Sequence, residues 1–348
     1  MFYFRHNKDG NLEGMVSSHV DDFIMAGTKE FLEEITKKIA QKLEISKLED
    51  NEFRFTGMDV KKDGDVIVVS MEEYAKSLEK VEIRKGMPDE PLTETEMKMY
   101  RKYVGKLSWL ASNTRPDLAI HVLNSARKQK NAVLKDLRDI NRIIDKIGEK
   151  ESKVVFGKVA KKEELCVIGI SDASYHQENP TIAGSIIMLG NIKTKKAAPI
   201  YWKSGIVNRV CTSPKASETR GVMLVVDDAV NVANQLKDLL NADIKVKIFT
   251  DSRPLLETLG STSQVAEKGL RKSIAYLKEH LKLGSVESYR WIEGRDIIAD
   301  ILTKTGSKRS ELDEIMIEGY FKHAQDEKNC VKFKDGEVKI DGLATKSR

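Results

Sequence analysis

From about residue 163 onward, strand-sized apolar runs alternate with helical patterns, and their order limits the possible folds more than any other feature. Three apolar runs come first, a long helix follows, and two further strands then alternate with helices. The predicted strands are residues 165–170, 183–189, 199–202, 244–250 and 286–292. The predicted helices are residues 217–240, one after Pro254, 270–281, and one from Ile297. This β-β-β-α-β-α-β-α order predicts an α/β fold, with helices packed on a mixed sheet.

The first 150 residues divide into a strand-rich segment and a helical segment. Short hairpins, with strands at 2–6, 12–20, 53–60 and 66–70, and one helix from Lys29 to about Leu43 predict a small α+β unit over residues 1–92. A capping-box pattern at 93–96 begins a helical region that ends near Glu149. We therefore expect units at 1–92, 93–150 and 163–320, followed by a charged tail at 321–348 that is either a frayed end or a short peripheral element.

The composition favours an intracellular protein. No apolar run approaches the ~20 residues of a membrane helix, and the first ten residues lack the apolar core of a signal peptide. The three cysteines, Cys166, Cys211 and Cys330, match no zinc-binding spacing. We therefore expect a cytoplasmic or nuclear location, reduced thiols and no membrane partner. The net charge of +5 permits nucleic-acid binding without requiring it.

Four acids stand where predicted strands end or predicted helices run. Asp172 and Asp251 each follow a strand, Glu218 lies in the first turn of its helix, and Asp300 lies in the final helix. Acids at neighbouring strand ends converge on one edge of a sheet. Such acids repel each other, so the pattern favours Mg²⁺, which prefers hard oxygen ligands, and two ions ~3.5–4 Å apart can support phosphodiester hydrolysis. Any one of these acids alone could equally be an ordinary strand-end or helix-cap acid.

The segments around these acids, taken in order, resemble the ribonuclease H domain of copia-type LTR retrotransposon polyproteins. They are Ser-Asp-Ala-Ser-Tyr at 171–175, Ser-Pro-Lys-Ala-Ser-Glu-Thr-Arg at 213–220, Phe-Thr-Asp-Ser at 249–252 and Ala-Asp-Ile-Leu-Thr-Lys at 299–304. The resemblance implies a ribonuclease H-like fold and cleavage of the RNA strand of an RNA/DNA hybrid. It also implies two Mg²⁺ or Mn²⁺ ions bound by Asp172, Glu218, Asp251 and Asp300. Asp296 competes with Asp300 for the last role.

The N-terminal half resembles another part of the same polyprotein. Ser-His-Val-Asp-Asp-Phe-Ile-Met-Ala-Gly at 18–27 is similar to the reverse-transcriptase motif in which paired aspartates occupy a tight hairpin of the palm. The resemblance implies that Asp21 binds metal beside Asp22. Residues 100–119 resemble the helical thumb or connection. Since only about 20 residues precede Asp21, we expect a partial palm without the fingers, and no DNA polymerase activity from this chain by itself.

Basic and aromatic residues near the acids are candidates for binding the hybrid. Their alternative is a solvated charged face, and for the tryptophan a place in the core. The candidates are Lys193, Lys195, Lys196, Trp202, Lys203, Arg209, Lys215 and Arg220. His176 is interpreted as an ordinary surface histidine. A hybrid duplex offers phosphates and 2′-hydroxyls rather than readable sequence, so we expect sequence-tolerant binding. Other chains from the same polyprotein stay open as partners.

A second function class competes with the nuclease. The chain departs from the family pattern at His19 and Ala216, and no histidine occurs in the loop 293–296. A degenerate or repurposed protein that binds nucleic acid or a partner without catalysis would show such changes. A third hypothesis, an integrase or another nuclease of the same fold, is disfavoured by the segment 299–304. Metal titration separates the first two, because only a competent site should bind Mg²⁺ or Mn²⁺.

Overall fold

The computed structural model describes residues 2–175, 180–307, 310–324 and 328–342. Its first sheet is a small antiparallel meander in the order β1-β2-β3, covered by one helix. These elements are β1 (Phe2–His6), β2 (Leu12–His19), β3 (Asp22–Gly27) and α1 (Lys29–Ala40). Thr28 caps α1 by accepting a hydrogen bond from the backbone N–H of Phe31. The fully buried Phe31 side chain holds the helix on the sheet.

The second sheet is an antiparallel array in the order β4-β5-β6-β7. Its strands are β4 (Glu52–Phe55), β5 (Met58–Asp63), β6 (Val66–Ser70) and β7 (Lys153–Phe156). The prediction of one strand over 53–60 is wrong, because the chain reverses at Thr56 and Gly57. Both residues have positive φ, 49° and 81°, as a two-residue hairpin turn of type I′ requires.

A helical unit lies between β6 and β7, two neighbouring strands of the second sheet. Its helices are α2 (Glu72–Lys76), α3 (Glu94–Asn113), α4 (Ala119–Arg127) and α5 (Leu134–Gly148). The capping box at Thr93 and Glu96 is confirmed. The buried guanidinium of Arg115 donates to the carbonyls of Lys146 and Ile147 and pairs with Asp117. These bonds fix the end of α5 against the corner between α3 and α4.

The largest sheet has seven strands in the order β10-β9-β8-β11-β12-β13-β14. They are β8 (Leu165–Ser174), β9 (Ile182–Asn191), β10 (Ala197–Ile206), β11 (Lys245–Thr250), β12 (Ser288–Trp291), β13 (Cys330–Lys334) and β14 (Glu337–Asp341). Strands β8, β11 and β12 are parallel, and the other neighbours pair antiparallel. The predicted α/β class is therefore confirmed: this part of the chain is a mixed sheet with flanking helices.

The two faces of this sheet are covered differently. One face packs against α6 (Pro214–Leu240), α7 (Arg253–Gly260) and α8 (Arg271–Lys282). The other face packs against short helical turns of the segment 297–324. These are a 3-10 turn at Ile298–Leu302, α9 (Ser310–Asp313) and a π-helical turn at Glu314–Glu318, and a further 3-10 turn at Gly294–Asp296 precedes the segment. The predicted helix from Ile297 is therefore wrong in type, since tight turns replace it.

The C-terminal tail forms a short peripheral element, one of the two alternatives that the sequence leaves open. Strands β13 and β14 form a hairpin that extends the main sheet beyond β12. Asp335 and Gly336 form its turn with φ of 54° and 81°. Asp-Gly is a strong hairpin signal, so the sequence contained this information.

Candidate active site

Two of the predicted acids lie at the same edge of the main sheet because their strands are parallel neighbours. Ile170 of β8 is in register with Phe249 of β11. Asp172 and Asp251 each stand two residues further along, so their side chains leave the sheet at the same level. Glu218 reaches the same point from the fifth residue of α6, the helix that Ser213 caps. One carboxylate oxygen from each of these three acids lies within 4.8 Å of the other two.

Asp172 is buried and Glu218 and Asp251 are half-buried, and desolvation raises the pKa values of all three carboxyls. The carboxyl of Asp172 is 1% exposed, and desolvation raises its pKa to about 6. Desolvation, followed by the charges of Asp172 and Asp251, raises the pKa of Glu218 to about 9. Burial also raises the pKa of Asp251. The arrangement therefore disfavours three negative charges unless a cation joins them.

The fourth predicted acid, Asp300, lies beside this group but outside it. It sits on the 3-10 turn Ile298–Leu302, and Ser307 Oγ donates a hydrogen bond to its Oδ2 at 2.8 Å. Its other oxygen accepts a hydrogen bond from the ammonium of Lys304. The same ammonium lies 3.8 Å from Asp172 Oδ1. The structure therefore connects Asp300 to the other acids through a lysine.

Asp296, the competitor for the role of Asp300, is engaged elsewhere. Its Oδ1 lies 2.7 Å from Lys322 Nζ, and its Oδ2 lies 3.4 Å from His323 Nε2. These contacts tie the loop 293–296 to the C-terminal segment. The geometry therefore favours Asp300, whose partner Lys304 reaches the acid cluster.

Sequence reasoning assigned no role to Thr303 or Lys304. The Thr303 hydroxyl donates to Asp172 Oδ2, and Lys304 contacts both Asp172 and Asp300. Close packing makes these contacts possible: a Cβ on Gly184, the residue opposite Asp172 in β9, would lie 2.8 Å from the carbonyl oxygen of Ala299. The segment 299–304 was recognised for Asp300 alone, although both residues belong to it.

The paired aspartates of the N-terminal motif occupy the tip of the β2–β3 hairpin. His19 pairs with Asp22 across the strands, so Val20 and Asp21 form a two-residue turn, with Val20 at φ 53°. Both acids are exposed. Across residues 2–175 and the other described ranges, they join no third acid, histidine or cysteine in a group that could hold a metal ion.

Three of the predicted hybrid-binding lysines lie far from the acids. Lys193, Lys195 and Lys196 occupy the β9–β10 turn, and Asn191 at its start pairs with Leu165 at the beginning of β8. Asp172 is seven residues further along β8, about 23 Å at 3.3 Å per residue. Lys193 Nζ pairs with Glu164 at 2.8 Å. The predicted position beside the site is therefore wrong, because an antiparallel neighbour places its turn at the opposite end of the strand.

Trp202 is not available to stack on a substrate. Its side chain is 8% exposed, and its indole N–H donates to the carbonyl of Ala111 at 2.7 Å. This bond joins β10 to α3, so the alternative of a core tryptophan is correct. Lys203 is exposed, and as the next residue in the strand it points to the opposite face of the sheet. It pairs with Ser185 of β9, which in turn pairs with Ser171 of β8 beside Asp172.

The remaining basic candidates flank Glu218. Arg209 is exposed in the loop before α6, and Lys215 and Arg220 lie on the first two turns of that helix, partly exposed. Arg220 donates to Met223 Sδ at 3.7 Å. Their placement beside Glu218 agrees with the sequence analysis, and their role in binding stays a prediction. His176 lies outside the described residues.

No family model matches the chain, and no curated protein matches it. Among solved structures, the chain is similar to a foamy viral protease-reverse transcriptase in complex with an RNA/DNA hybrid, with a TM-score of 0.49 and 16% identity over 80% of this chain. It spans 36% of that viral chain. It is also similar to LC11-RNase H1 in complex with an RNA/DNA hybrid, with a TM-score of 0.29 and 16% identity over 38% of this chain and 88% of that one.

The donor set of the site fits a hard divalent cation. Three carboxylates converge, and the buried Oε2 of Glu218 has no hydrogen-bond partner among the described residues. A buried carboxylate oxygen without a donor is costly unless a cation satisfies it. Oxygen ligands suit Mg²⁺ and Mn²⁺, so Asp172, Glu218 and Asp251 are the residues that would hold the ion.

Within the described part of the chain, no helix is both long and apolar enough to span a bilayer.

Proposed function

We propose that residues 163–320 form a metal-dependent endonuclease of the ribonuclease H type, which hydrolyses the RNA strand of RNA/DNA hybrids. One observation carries this proposal: the carboxylates of Asp172, Glu218 and Asp251 lie within 4.8 Å of one another at one edge of the sheet. Burial and mutual repulsion make that arrangement costly without cations. A site of this kind is typical of phosphodiester hydrolysis.

The residues around the acids position them for this chemistry. Thr303 fixes one oxygen of Asp172 by donating a hydrogen bond, and the backbone N–H of Ala173 does the same for Glu218. When bound at the carboxylates, two divalent ions would supply an activated water and stabilise the leaving oxygen. Asp300 lies at the edge of the site, and we propose that it helps to bind the second ion. Lys304 holds Asp300 in place and adds positive charge where the scissile phosphate approaches.

The substrate assignment rests on chemistry at the rim of the site. Lys215 and Arg220 flank Glu218 on α6, and Lys203 lies at the level of the acids two strands away. Cations in this arrangement suit the phosphates of a duplex and read no base sequence. We propose that the binding groove accepts the A-like hybrid, whose 2′-hydroxyls distinguish the strand to be cut.

We also propose an origin for the chain as part of a copia-type retrotransposon polyprotein. Residues 1–92 would be a partial reverse-transcriptase palm, residues 93–150 the thumb or connection, and residues 321–348 a tail that contributes β13 and β14. Support for the palm comes from Asp21 and Asp22 on the tip of a tight hairpin. The absence of DNA polymerase activity from this chain alone stays a prediction, tested by dNTP incorporation.

A non-catalytic nucleic-acid-binding protein is the second candidate. The observation that favours it is the ammonium of Lys304, which contacts both Asp300 and Asp172. A lysine in that position neutralises part of the acidic charge without a metal ion. A protein of this class would bind hybrid equally well in EDTA and in Mg²⁺, and it would cut neither strand.

The test uses two duplexes of one sequence, an RNA/DNA hybrid and an all-DNA duplex, each labelled on one strand at a time. We expect cutting of the RNA strand of the hybrid, with the DNA strand and an all-DNA duplex left intact in Mg²⁺ and in Mn²⁺. Asp296→Asn serves as a control that removes an acid from the neighbouring loop without touching the cluster. Cutting of both strands of DNA would contradict the hybrid assignment, and no cutting by folded protein would move the assignment to the binding protein.

A further inference from the structure

A second charged feature lies on the helical unit, in an open cleft of about 740 Å³ between α4 and α5. Four basic side chains and one carboxylate line it: Arg127, Lys128, Arg142, Lys146 and Asp139. Asp139 pairs with Arg142 at 2.7 Å, and Lys128 is paired chiefly with Asp136 at 2.6 Å. The cleft therefore carries a surplus of positive charge.

Two of these cations have no carboxylate partner within the described residues, namely Arg127 and Lys146. Arg127 is exposed at the end of α4. Lys146 Nζ lies 2.9 Å from Nε2 of His121, which also lines the cleft. Burial, followed by the charge of Lys146, lowers the pKa of His121. The neutral ring then accepts from the ammonium and keeps Nδ1–H as a donor. Cations and neutral donors in one cleft are suited to an anion with several oxygens.

The cleft adjoins a smaller cavity that reaches residues beside the acid site. Thr305, His121 and Lys146 line both the cleft and an adjoining cavity of about 190 Å³. The adjoining cavity is also lined by Lys304 and Ser307, which contact Asp172 and Asp300. Thr305, which lines the cleft, directly follows Lys304, which contacts Asp172, and the Cα atoms of consecutive residues are about 4 Å apart.

We propose that this cleft, defined by His121, Arg127, Lys146 and Thr305, binds the phosphate backbone of the hybrid where the duplex leaves the acid site. This inference rests on the proposed function for the identity of the duplex. The occupant is a nucleic-acid backbone rather than a small anion, because the open cleft and the adjoining cavity form one groove that leads to the acids.

The experiment measures binding of the full chain to a labelled hybrid of about 16 base pairs in EDTA, from about 50 to 200 mM NaCl. The test variants are the single variant Arg127→Gln and the double variant that combines Arg127→Gln with Lys146→Gln. The matched control is the double variant Lys98→Gln with Lys102→Gln, which removes two exposed charges from α3 outside the cleft. Circular dichroism establishes folding, and the exposed Arg127 variant tests the proposal even if Lys146→Gln unfolds the helix pair.

We expect the double cleft variant to bind about tenfold more weakly, with a salt slope smaller by about 1.8, or 0.9 per lost phosphate contact. Arg127→Gln alone should reduce the slope by about 0.9, and the control should match wild type. Equal losses in the cleft and control variants would overturn the proposal. Saturable binding of inorganic phosphate that Arg127→Gln abolishes, with hybrid affinity unchanged, would also overturn it.

Cleavage in Mg²⁺ is recorded separately, so the two proposals fail in different ways. Cleft-dependent binding without cleavage by wild type would support the cleft and contradict the nuclease. Cleavage by wild type, with cleft variants that bind as tightly as wild type, would support the nuclease and overturn the cleft.

Discussion

Replacing Asp172 with asparagine should stabilise the metal-free protein, although it removes a central residue of the site. Desolvation raises the pKa of Asp172 from 3.8 to about 6. A folded-state pKa above the unfolded value means that stability falls as pH rises from about 4 to about 6 and stays low above that window. At 1.36 kcal/mol per pH unit, the ionised carboxylate costs on the order of 3 kcal/mol at neutral pH. Asparagine keeps the shape, and its amide oxygen still accepts from Thr303.

The assay is thermal unfolding in EDTA at pH 7.5, followed by the same measurement in Mg²⁺ or Mn²⁺. A gain of about 3 kcal/mol corresponds to roughly 6 to 12 °C for a domain of this size. Wild type should gain stability with metal, whereas Asp172→Asn should gain much less. Asp296→Asn is the control, because its carboxylate is paired with Lys322 and its loss should not stabilise the protein. A metal-free Asp172→Asn protein that melts below wild type would refute the reasoning.

Three further predictions follow from the site. Metal affinity should rise with pH from about 6 to about 9, because Asp172 and Glu218 must lose protons to bind the ion. Calorimetric titration at several pH values should show proton release on metal binding. A metal affinity that does not change with pH would contradict this prediction. Lys304→Met should tighten Mn²⁺ binding about tenfold, because it removes an ammonium that lies 3.8 Å from Asp172 Oδ1 and competes with the ion. Electron paramagnetic resonance measures Mn²⁺ binding, and weaker binding by the variant would disprove this competition. Trp202→Phe should lower the free energy of unfolding in urea by about 1–3 kcal/mol, because the carbonyl of Ala111 loses its hydrogen-bond donor. The affinity for hybrid should stay unchanged, whereas a tryptophan that stacks on the substrate would lower it when replaced.

The convergence of the acids was predictable because it follows from topology. Parallel neighbours end at the same edge, so the two strand-end acids Asp172 and Asp251 had to lie together once β8 and β11 were recognised. The position of Lys193 also follows from the direction of strand pairing. An antiparallel neighbour of β8 carries its far turn back to the start of the strand.

Contacts between distant segments could not be predicted in this way. The partner of Trp202 is the carbonyl of Ala111, 91 residues earlier in the chain, and no local pattern indicates it. The lysine bridge from Asp300 to Asp172 depends on tight 3-10 turns where the apolar spacing predicts an ordinary helix. Local periodicity therefore gives the elements, whereas the connections between Asp300, Lys304 and Asp172 depend on tertiary packing.

Cleavage of a labelled RNA/DNA hybrid in Mg²⁺ by wild type and Asp251→Asn tests the central claim most directly. Asp251 belongs to the three-carboxylate group, and asparagine preserves its size while removing the charge. The account predicts cutting of the RNA strand by wild type and none by the variant, with both proteins folded. Absence of cutting by folded wild type in Mg²⁺ and in Mn²⁺, or equal cutting by both proteins, would contradict it.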